Sequence, residues 1–354
     1  MKNLLFLSWR DIKHPKMGGA EVFTHEMLKR LDKDNYSITH ISPMSINKDG
    51  EENLAKEDID GINYLRKGNM FTVILFAIIY YLKHHSDIDY VIDQANTHRF
   101  FTPFWVTKSK RIFFIHQLTR EIWSINLKFP LSFIGKHAEN LMTRIYSHNI
   151  ALTVSNSTKN DLLDLGFDED KVYILPEGIN FIPWEVKDFK TSQEVMFTYV
   201  GRISSYKGID VALEAFCKLY HHYPDIKFNV VGKGDPEYIN NILEPIRLKY
   251  SVPALNINYC GFVSEEEKLS IMSHSHCLVF PSQREGWGLT ITEAAAVGTP
   301  SIVYKSPGLI DAVNYGKAGY LAEENNKYEI YRLMKKSLSY HRFEKSLKTK
   351  VLWD

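Results

Sequence analysis

Two glutamates around a glycine turn form the first group of residues that could hold an anionic ligand. Glu285 and Glu293 enclose the turn Gly286-Trp287-Gly288, which follows a short apolar run and precedes a helix-forming run that ends at a glycine. A strand, a glycine loop and a helix in this order aim backbone N–H groups and a helix N-terminus at an anion. The carboxyl end of a strand beside a helix start is also where open α/β sheets bind ligands. The alternative is that one glutamate caps the helix while the other is a solvated helix residue.

A cationic pair lies on a second loop. Arg202 and Lys207 belong to the string GRISSYKG, directly after an apolar run that predicts a strand. An arginine can bind a phosphate group through two hydrogen bonds, and a lysine acts as a compact point charge. Where no metal ion takes part, such side chains and backbone dipoles must stabilise the charge of a diphosphate. The alternative for this pair is two solvated loop residues.

The first half of the chain carries a glycine pair and a histidine at comparable places. Gly18 and Gly19 lie between a predicted strand and a predicted helix, where glycine lets a ligand approach the backbone closely. His116 follows the predicted strand 111–115, and a polar side chain at that end of a strand points towards the ligand crevice of an α/β sheet. A plain tight turn and a structural histidine remain the alternatives.

Composition and charge exclude several classes of function. The net charge of +1 argues against a nucleic-acid binder that works by bulk charge. Three cysteines without metal-ligand spacing suit a reducing cytoplasm. The acidic triplets at 58–60, 87–89 and 168–170 indicate surface charge, because none follows a strand that leads into a crevice, so no metal site is predicted. The longest apolar run, 70–82, is too short to span a membrane and predicts a buried helix, with an interfacial helix as the alternative.

Two successive runs of strand–helix alternation must position these residues. They predict an α/β protein with two doubly wound, Rossmann-like domains that face each other across a cleft. We expect an N-terminal domain over residues 1–183 and a C-terminal domain over residues 184–354, with the irregular, polar linker at 183–192.

The string EGWGLTITEAAAVGTP, together with GRISSYKG and the glycine pair, resembles the signature of family-4 retaining glycosyltransferases, which have the GT-B fold. The resemblance covers nearly the whole chain and implies transfer of a sugar from a nucleotide donor. It implies that Arg202 and Lys207 neutralise the diphosphate, that Glu285 grips the donor sugar without a covalent role, and that Glu293 holds the ribose hydroxyls. It also implies catalytic or donor-binding roles for Gly18, Gly19, His116, Gly232, Phe262, Val263, Gly286, Trp287, Gly288, Leu289 and Thr290.

The same resemblance implies no metal and no cofactor, because the nucleotide-sugar is a substrate. The donor base stays open between UDP-, GDP- and ADP-sugars, and the acceptor is a saccharide or a lipid-linked molecule. An epimerase of the same two-domain fold is the main alternative, and a two-lobed ligand-binding protein is a third. Family chains usually continue with more helix, so we expect that this chain is either truncated or ends in a short helix, near residues 328–338, that returns to the N-terminal domain.

The acceptor is expected on the first domain, in the crevice from Gly18 to His116. A cluster of aromatic and basic residues in that half suits sugar stacking or an anionic bilayer, which would make the protein cytoplasmic and peripheral at the inner face of the membrane. An ordinary buried helix face is the alternative. The cluster consists of Phe100, Phe101, Phe104, Trp105, Lys108, Lys110 and Arg111.

Overall fold

The computed structural model describes residues 1–46, 50–189 and 194–338, and the chain divides into two compact units. The first unit contains Met1–Thr119 and Pro130–Glu177. The second contains Arg120–Phe129 and the chain from Gly178 onwards. Each unit has a sheet of its own with helices packed against it.

The first unit is built on an eight-stranded sheet with the order β3-β4-β2-β1-β5-β6-β7-β8. All neighbouring strands are parallel except the pair β3 and β4. A parallel sheet covered on both faces favours strands that are continuous apolar runs, as in the first strand, KNLLFL. The elements up to the end of this unit are β1 (Lys2–Leu7), α1 (Gly19–Lys29), β2 (Tyr36–Ser42), β3 (Lys56–Ile59), β4 (Ile62–Arg66), α2 (Thr72–His84), β5 (Tyr90–Ala95), β6 (Arg111–Ile115), α3 (Ile122–Asn126, which belongs to the second unit), α4 (Leu131–Arg144), β7 (Ile150–Thr153), α5 (Asn156–Leu163) and β8 (Val172–Ile174).

The direction of strand addition reverses at β1 in this sheet. The chain first adds strands on the side of β2 and then returns to place β5 on the other side of β1. The loops after β1 and β5 therefore separate at their carboxyl ends and leave a crevice, the position at which doubly wound sheets bind ligands.

The second unit has a six-stranded sheet, all parallel, with the order β11-β10-β9-β12-β13-β14. Its reversal lies between β9 and β12, so the loops after these two strands flank the corresponding crevice. The elements are β9 (Met196–Val200), α6 (Ile209–Tyr220), β10 (Lys227–Val231), α7 (Pro236–Tyr238), α8 (Glu244–Lys249), β11 (Ile257–Gly261), α9 (Glu265–His274), β12 (Cys277–Phe280), α10 (Leu289–Ala296), β13 (Ser301–Val303), α11 (Leu309–Ala312), β14 (Gly319–Leu321) and α12 (Lys327–Ser337).

The apolar run at 70–82 forms a helix, α2, but the prediction that the helix is buried was wrong for half of its surface. Val73, Ala77 and Tyr81 are buried against the sheet. Phe71 and Leu75, by contrast, are 72% and 60% exposed. The helix forms one layer on one face of the sheet, so only its inner face is covered.

The aromatic and basic cluster after β5 is mostly internal and does not form the predicted surface. Phe100 is fully buried, and Nε1 of Trp105 donates to its carbonyl oxygen at 2.8 Å. Nζ of Lys110 donates to two backbone carbonyls, those of His85 and Ile88. Of the seven side chains in the cluster, those of Phe104 and Lys108 are exposed to solvent. The other five are buried or half-buried and hold the loop in its path.

The last described helix, α12, belongs to the second unit. Its buried residues Ile330, Leu333 and Met334 are part of that unit's core. The predicted return of a last helix to the N-terminal domain stays a prediction, and residues 339–354 lie outside the described part of the chain. Across the described residues, no helix has the length and apolarity needed to cross a bilayer.

Candidate active site

The crevice of the second unit brings together two of the residues singled out by the sequence. Lys207 lies on the loop after β9 and Glu285 on the loop after β12, and Nζ of Lys207 is 2.6 and 2.7 Å from the two carboxylate oxygens. The buried Ser282 donates a hydrogen bond to the same carboxylate at 2.6 Å. Burial acts to lower the pKa of Lys207, but the Glu285 carboxylate outweighs it and holds that pKa above its ordinary value.

Two glycines allow these loops to approach so closely. Gly208 follows Lys207 with φ +74°, and a Cβ there would lie 2.1 Å from the carbonyl oxygen of Pro281. Gly308 has φ +78°, and its Cβ would lie 2.3 Å from the carbonyl oxygen of Glu285. Both positions are left-handed and sterically closed to any side chain, so glycine sets the geometry of the ion pair.

The glycine turn delivers the start of α10 to the same crevice. Gly288 is left-handed (φ +112°) and immediately precedes the helix, whose first residues are Leu289 and Thr290. The first N–H groups of a helix have no partner within it and are available to an anion or a hydroxyl group. Trp287 packs against the core of the unit, and its buried Nε1 meets no acceptor among the described residues.

The second glutamate, Glu293, has its own cation, which sequence reasoning did not identify. Lys268 on α9 places Nζ 2.9 Å from the carboxylate of Glu293 and 2.6 Å from that of Glu265. These carboxylates outweigh the effect of burial and raise the pKa of Lys268. Glu293 is thus a largely buried, paired carboxylate in the second turn of α10, not the solvated helix residue of the alternative prediction.

Arg202 and three of the predicted donor-binding residues, Gly232, Phe262 and Val263, lie on loops at the carboxyl edge of the same sheet. The Arg202 side chain is exposed, and it has no hydrogen-bond or ion-pair partner among the residues that the structure describes. A Cβ on Gly232 would lie 1.9 Å from the carbonyl oxygen of Gly201, so the loops after β9 and β10 are in contact there. Phe262 is 68% exposed at the end of β11, with Val263 half-buried beside it.

Residues 120–129 also belong to this unit although they come from the first half of the sequence. Arg284, which is 3% exposed, places Nε 2.5 Å from the carboxylate of Glu121, just before α3. Because Arg284 directly precedes Glu285, this ion pair fixes the loop that carries the candidate sugar-binding carboxylate. No feature of the local sequence indicates a pair that is separated by 163 positions.

The first unit places His116 in a buried polar network. Nδ1 of His116 is 2.7 Å from the carboxylate of Glu177, and Nε2 is 3.0 Å from the amide nitrogen of Gln94. That amide nitrogen also donates to the hydroxyl of Thr24 on α1 at 2.8 Å. Because an amide nitrogen only donates, Nε2 accepts and Nδ1 carries the proton that is donated to Glu177.

The sequence rule that identified His116 would also have found two of its partners. Gln94 lies at the end of β5, and Glu177 follows β8, so both are polar residues near the carboxyl ends of parallel strands. The glycine pair lies at the start of α1, as predicted, and the backbone N–H of Gly18 donates to the carboxylate of Glu21 at 2.6 Å. A Cβ on Gly18 would meet nothing closer than 3.7 Å, so the fold itself does not require glycine there.

The groups of His, Cys, Asp and Glu side chains that lie within the described residues include none able to hold a metal ion.

Comparison with known proteins covers both units. Residues 17–181 match the family model described as Glycosyltransferase Family 4, and residues 183–350 match the one described as Glycosyl transferases group 1. An uncharacterized glycosyltransferase of Methanocaldococcus jannaschii is 28% identical over 193 residues, which are 51% of this chain and 48% of that protein. The chain thus spans about half the length of this curated relative.

Solved structures match the whole chain. A sucrose-phosphate synthase of Thermosynechococcus elongatus has a TM-score of 0.76 at 14% identity, covering 100% of this chain and 95% of that one. The Anabaena protein HepE, solved in complex with UDP-glucose, has a TM-score of 0.71 at 13% identity, covering 99% and 94%. The TM-scores establish a shared fold, but at such low sequence identity they do not establish which ligands this chain binds.

Proposed function

We propose that this chain, which belongs to glycosyltransferase family 4 and has the GT-B fold, moves a sugar from a nucleoside-diphosphate donor to a saccharide or lipid-linked acceptor. In this proposal the transfer retains the configuration of the sugar and needs no metal ion. The observation that carries the proposal is the pair formed by Lys207 and Glu285 at the crevice of the second unit. This pair lies beside the start of α10, and the exposed Arg202 lies on the same loop as Lys207.

The cations in this crevice suit the charge that develops when a glycosyl–phosphate bond breaks. A diphosphate leaving group gains negative charge, and Arg202 and Lys207 supply two positive charges for it. Lys207 exchanges part of its interaction with Glu285 for the diphosphate. The carboxylate of Glu285 is then free to accept hydrogen bonds from the hydroxyl groups of the donor sugar.

The nucleoside fits the neighbouring residues. Glu293 accepts hydrogen bonds from the ribose hydroxyls, and Lys268 holds its carboxylate in place. Burial raises the pKa of Glu293, and the neighbouring Lys268 ammonium opposes that rise only in part. The backbone at Phe262 and Val263, at the end of β11, reads the base. Because HepE was solved with UDP-glucose, that sugar nucleotide is the first donor to test, ahead of GDP- and ADP-sugars.

The first unit supplies the acceptor side. The open backbone at Gly18 leaves room for a hydroxyl group or a phosphate to approach the start of α1. Glu177 and Gln94 fix the ring of His116 at the carboxyl edge of the sheet, where a sugar hydroxyl can reach it. We place the acceptor here and expect a lipid-linked acceptor to be presented at a membrane surface.

The test separates binding of the nucleotide from binding of the sugar. Calorimetric titration with UDP and with UDP-glucose should show that Lys207→Met and Glu293→Gln weaken both ligands. Glu285→Gln should weaken only the sugar nucleotide, by roughly tenfold for the loss of a charge-assisted hydrogen bond. An equal loss of UDP and UDP-glucose affinity in Glu285→Gln would contradict the sugar-binding role.

Two further assays address the remaining parts of the proposal. An epimerase of this fold would release free nucleotide and an altered sugar in the absence of any acceptor, whereas a transferase needs an acceptor for fast donor consumption. Activity that disappears with a chelator and returns with magnesium or manganese would overturn metal independence. The anomeric configuration of the product, read by NMR, decides retention.

A further inference from the structure

The outer face of α2 carries a stripe of apolar side chains from Phe71, just before the helix, to Leu82. Phe71, Leu75, Ile79 and Leu82 are 72%, 60%, 43% and 61% exposed. Their spacing of four, four and three places them in one stripe along the helix. A solvent-facing helix surface normally carries charged and polar residues, so this stripe requires an explanation other than folding.

A second helix of the same unit has a similar outer face. Leu131, Ile134 and Leu141 on α4 are 59%, 56% and 67% exposed and follow helical spacing. The helix α2 connects β4 to β5, and α4 connects β6 to β7, so each connection leads to a strand that lies nearer to β8 in the sheet. Because such crossovers are right-handed, the two helices cover the same face of the sheet. We call the exposed apolar residues of these two helices the α2–α4 surface.

Exposed lysines border the α2–α4 surface. Neither the segment 61–86 nor the segment 94–120 contains an aspartate or a glutamate. The exposed cations in or beside the two helices include Lys67, Lys83, Lys108 and Lys136. The acidic residue of α4, Glu139, is buried and accepts a hydrogen bond from the backbone of Thr119.

We propose that the α2–α4 surface docks the first unit on an anionic lipid bilayer. Apolar side chains with lysines at their margins are the pattern of interfacial membrane helices, in which the apolar face enters the headgroup region and the cations meet anionic lipids. A second copy of the chain would place two cationic faces against each other. Residues 339–354 carry four lysines and arginines against two acidic residues, so they too lack the complementary charge.

The position of the surface relates it to the candidate acceptor site within the first unit. Because α2 follows β4, it begins at the carboxyl edge of the sheet, the edge at which Gly18 and His116 lie. Docking through α2 therefore brings that edge close to the headgroups, where a lipid-linked acceptor would be. The docking itself does not depend on the identity of the donor or on the transfer reaction.

The experiment is co-sedimentation of the full chain with vesicles. Phosphatidylcholine vesicles are compared with vesicles that also contain phosphatidylglycerol, at low and at moderate salt. The double variant Leu75→Ser/Ile79→Ser removes two side chains of the stripe, and Leu255→Ser, at a residue 78% exposed in the second unit, is the matched control. Thermal unfolding and the nucleotide-induced thermal shift show that each variant is folded.

The wild type and the control should bind the anionic vesicles, and the double variant should bind at least about tenfold more weakly. Lys83→Gln should weaken binding about fivefold at low salt and less at moderate salt. Wild-type protein that stays in the supernatant with both vesicle types would overturn the proposal. So would light scattering that shows a dimer dispersed by the double variant, because the surface would then join two copies.

Discussion

A buried histidine should make the stability of the first unit depend on pH in a predictable way. His40 on β2 is 1% exposed, and its Nε2 is 2.6 Å from the hydroxyl of Ser8. The rings of Phe6 and Tyr64 pack at 5.1 and 4.8 Å from it, and its buried Nδ1 meets no partner among the described residues. Burial lowers the pKa of His40 to about 4, and the carboxylate of Asp11 opposes this only in part.

The sign of the effect follows from proton binding in the two states. The unfolded chain takes up a proton at His40 near pH 6.5 and the folded chain only near pH 4, so between these values the unfolded state holds more protons. The stabilisation is therefore complete above about pH 6.5 and decreases as the pH falls. One unit of pKa difference corresponds to about 1.4 kcal/mol, so the loss between about pH 7.5 and about pH 5 is about 2 kcal/mol.

The variant His40→Gln tests this value, because glutamine retains a hydrogen-bonding group for Ser8 but does not titrate. The two units have separate cores, so the free energy of unfolding is best taken from hydrogen exchange of the β2 amides. The wild type should lose about 2 kcal/mol more than the variant on acidification. The exposed His148→Gln should follow the wild type. Parallel curves for wild type and His40→Gln would refute the reasoning.

Three further substitutions test contacts in the candidate site. Glu177→Gln keeps the size of the side chain but removes the charge that orients His116, so kcat should fall about tenfold while UDP affinity is unchanged. Lys268→Gln leaves the carboxylate of Glu293 without its cation, so UDP should bind roughly five- to tenfold more weakly in titration calorimetry. Gly308→Ala forces a Cβ against the loop of the ion pair, so both the melting temperature and donor affinity should fall.

Matched controls make these results specific. Lys249→Gln removes a lysine that is 65% exposed and should leave UDP affinity unchanged, because its pairing with Glu214 is at the surface. Gly166→Ala has the same kind of positive φ as Gly308 but nothing within 4 Å, so it should cost only the backbone strain of about 1 kcal/mol. If Gly308→Ala behaves like this control, steric closure at the loop is not what fixes Glu285.

Local patterns predicted most of the fold and the placement of the main site residues. Alternating strand and helix signals predicted two doubly wound sheets, and the structure and its relatives confirm them. The turn before α10 and the glycine pair at the start of α1 were also located correctly, because helix-start chemistry and, at Gly288, a positive φ depend on only a few neighbouring residues. The roles assigned to these residues stay predictions.

The partners of the site residues could not be predicted in the same way. Lys268 is separated by 25 positions from Glu293, and Glu177 by 61 positions from His116. Nothing in the sequence around one member of such a pair specifies the other, because the contact depends on strand order. Glu177 follows a strand, so the rule for polar residues near strand ends could have identified it. Lys268 lies on a helix, so that rule could not have identified it.

The helix α2 shows where a pattern rule gave the wrong environment. Every residue from 73 to 82 is apolar or aromatic, and a helix that is apolar on all sides is normally buried on all sides. In a layered α/β unit, a helix contacts the sheet with one face only. The hydrophobic core therefore explains the apolar residues on the inner face of α2, but not those on its outer face.

A second helix of the same chain shows that the fold does not require such a face. In the second unit, α12 packs Ile330 and Leu333 into the core and exposes Arg332, Lys335 and Lys336. Both helices thus form the outer layer of a doubly wound sheet, but only α12 has the polar outer face expected in water. Since folding alone is satisfied by the arrangement of α12, the exposed stripe on α2 is best explained by an apolar environment that the first unit meets in its function, and a bilayer with anionic headgroups fits both the stripe and the lysines around it.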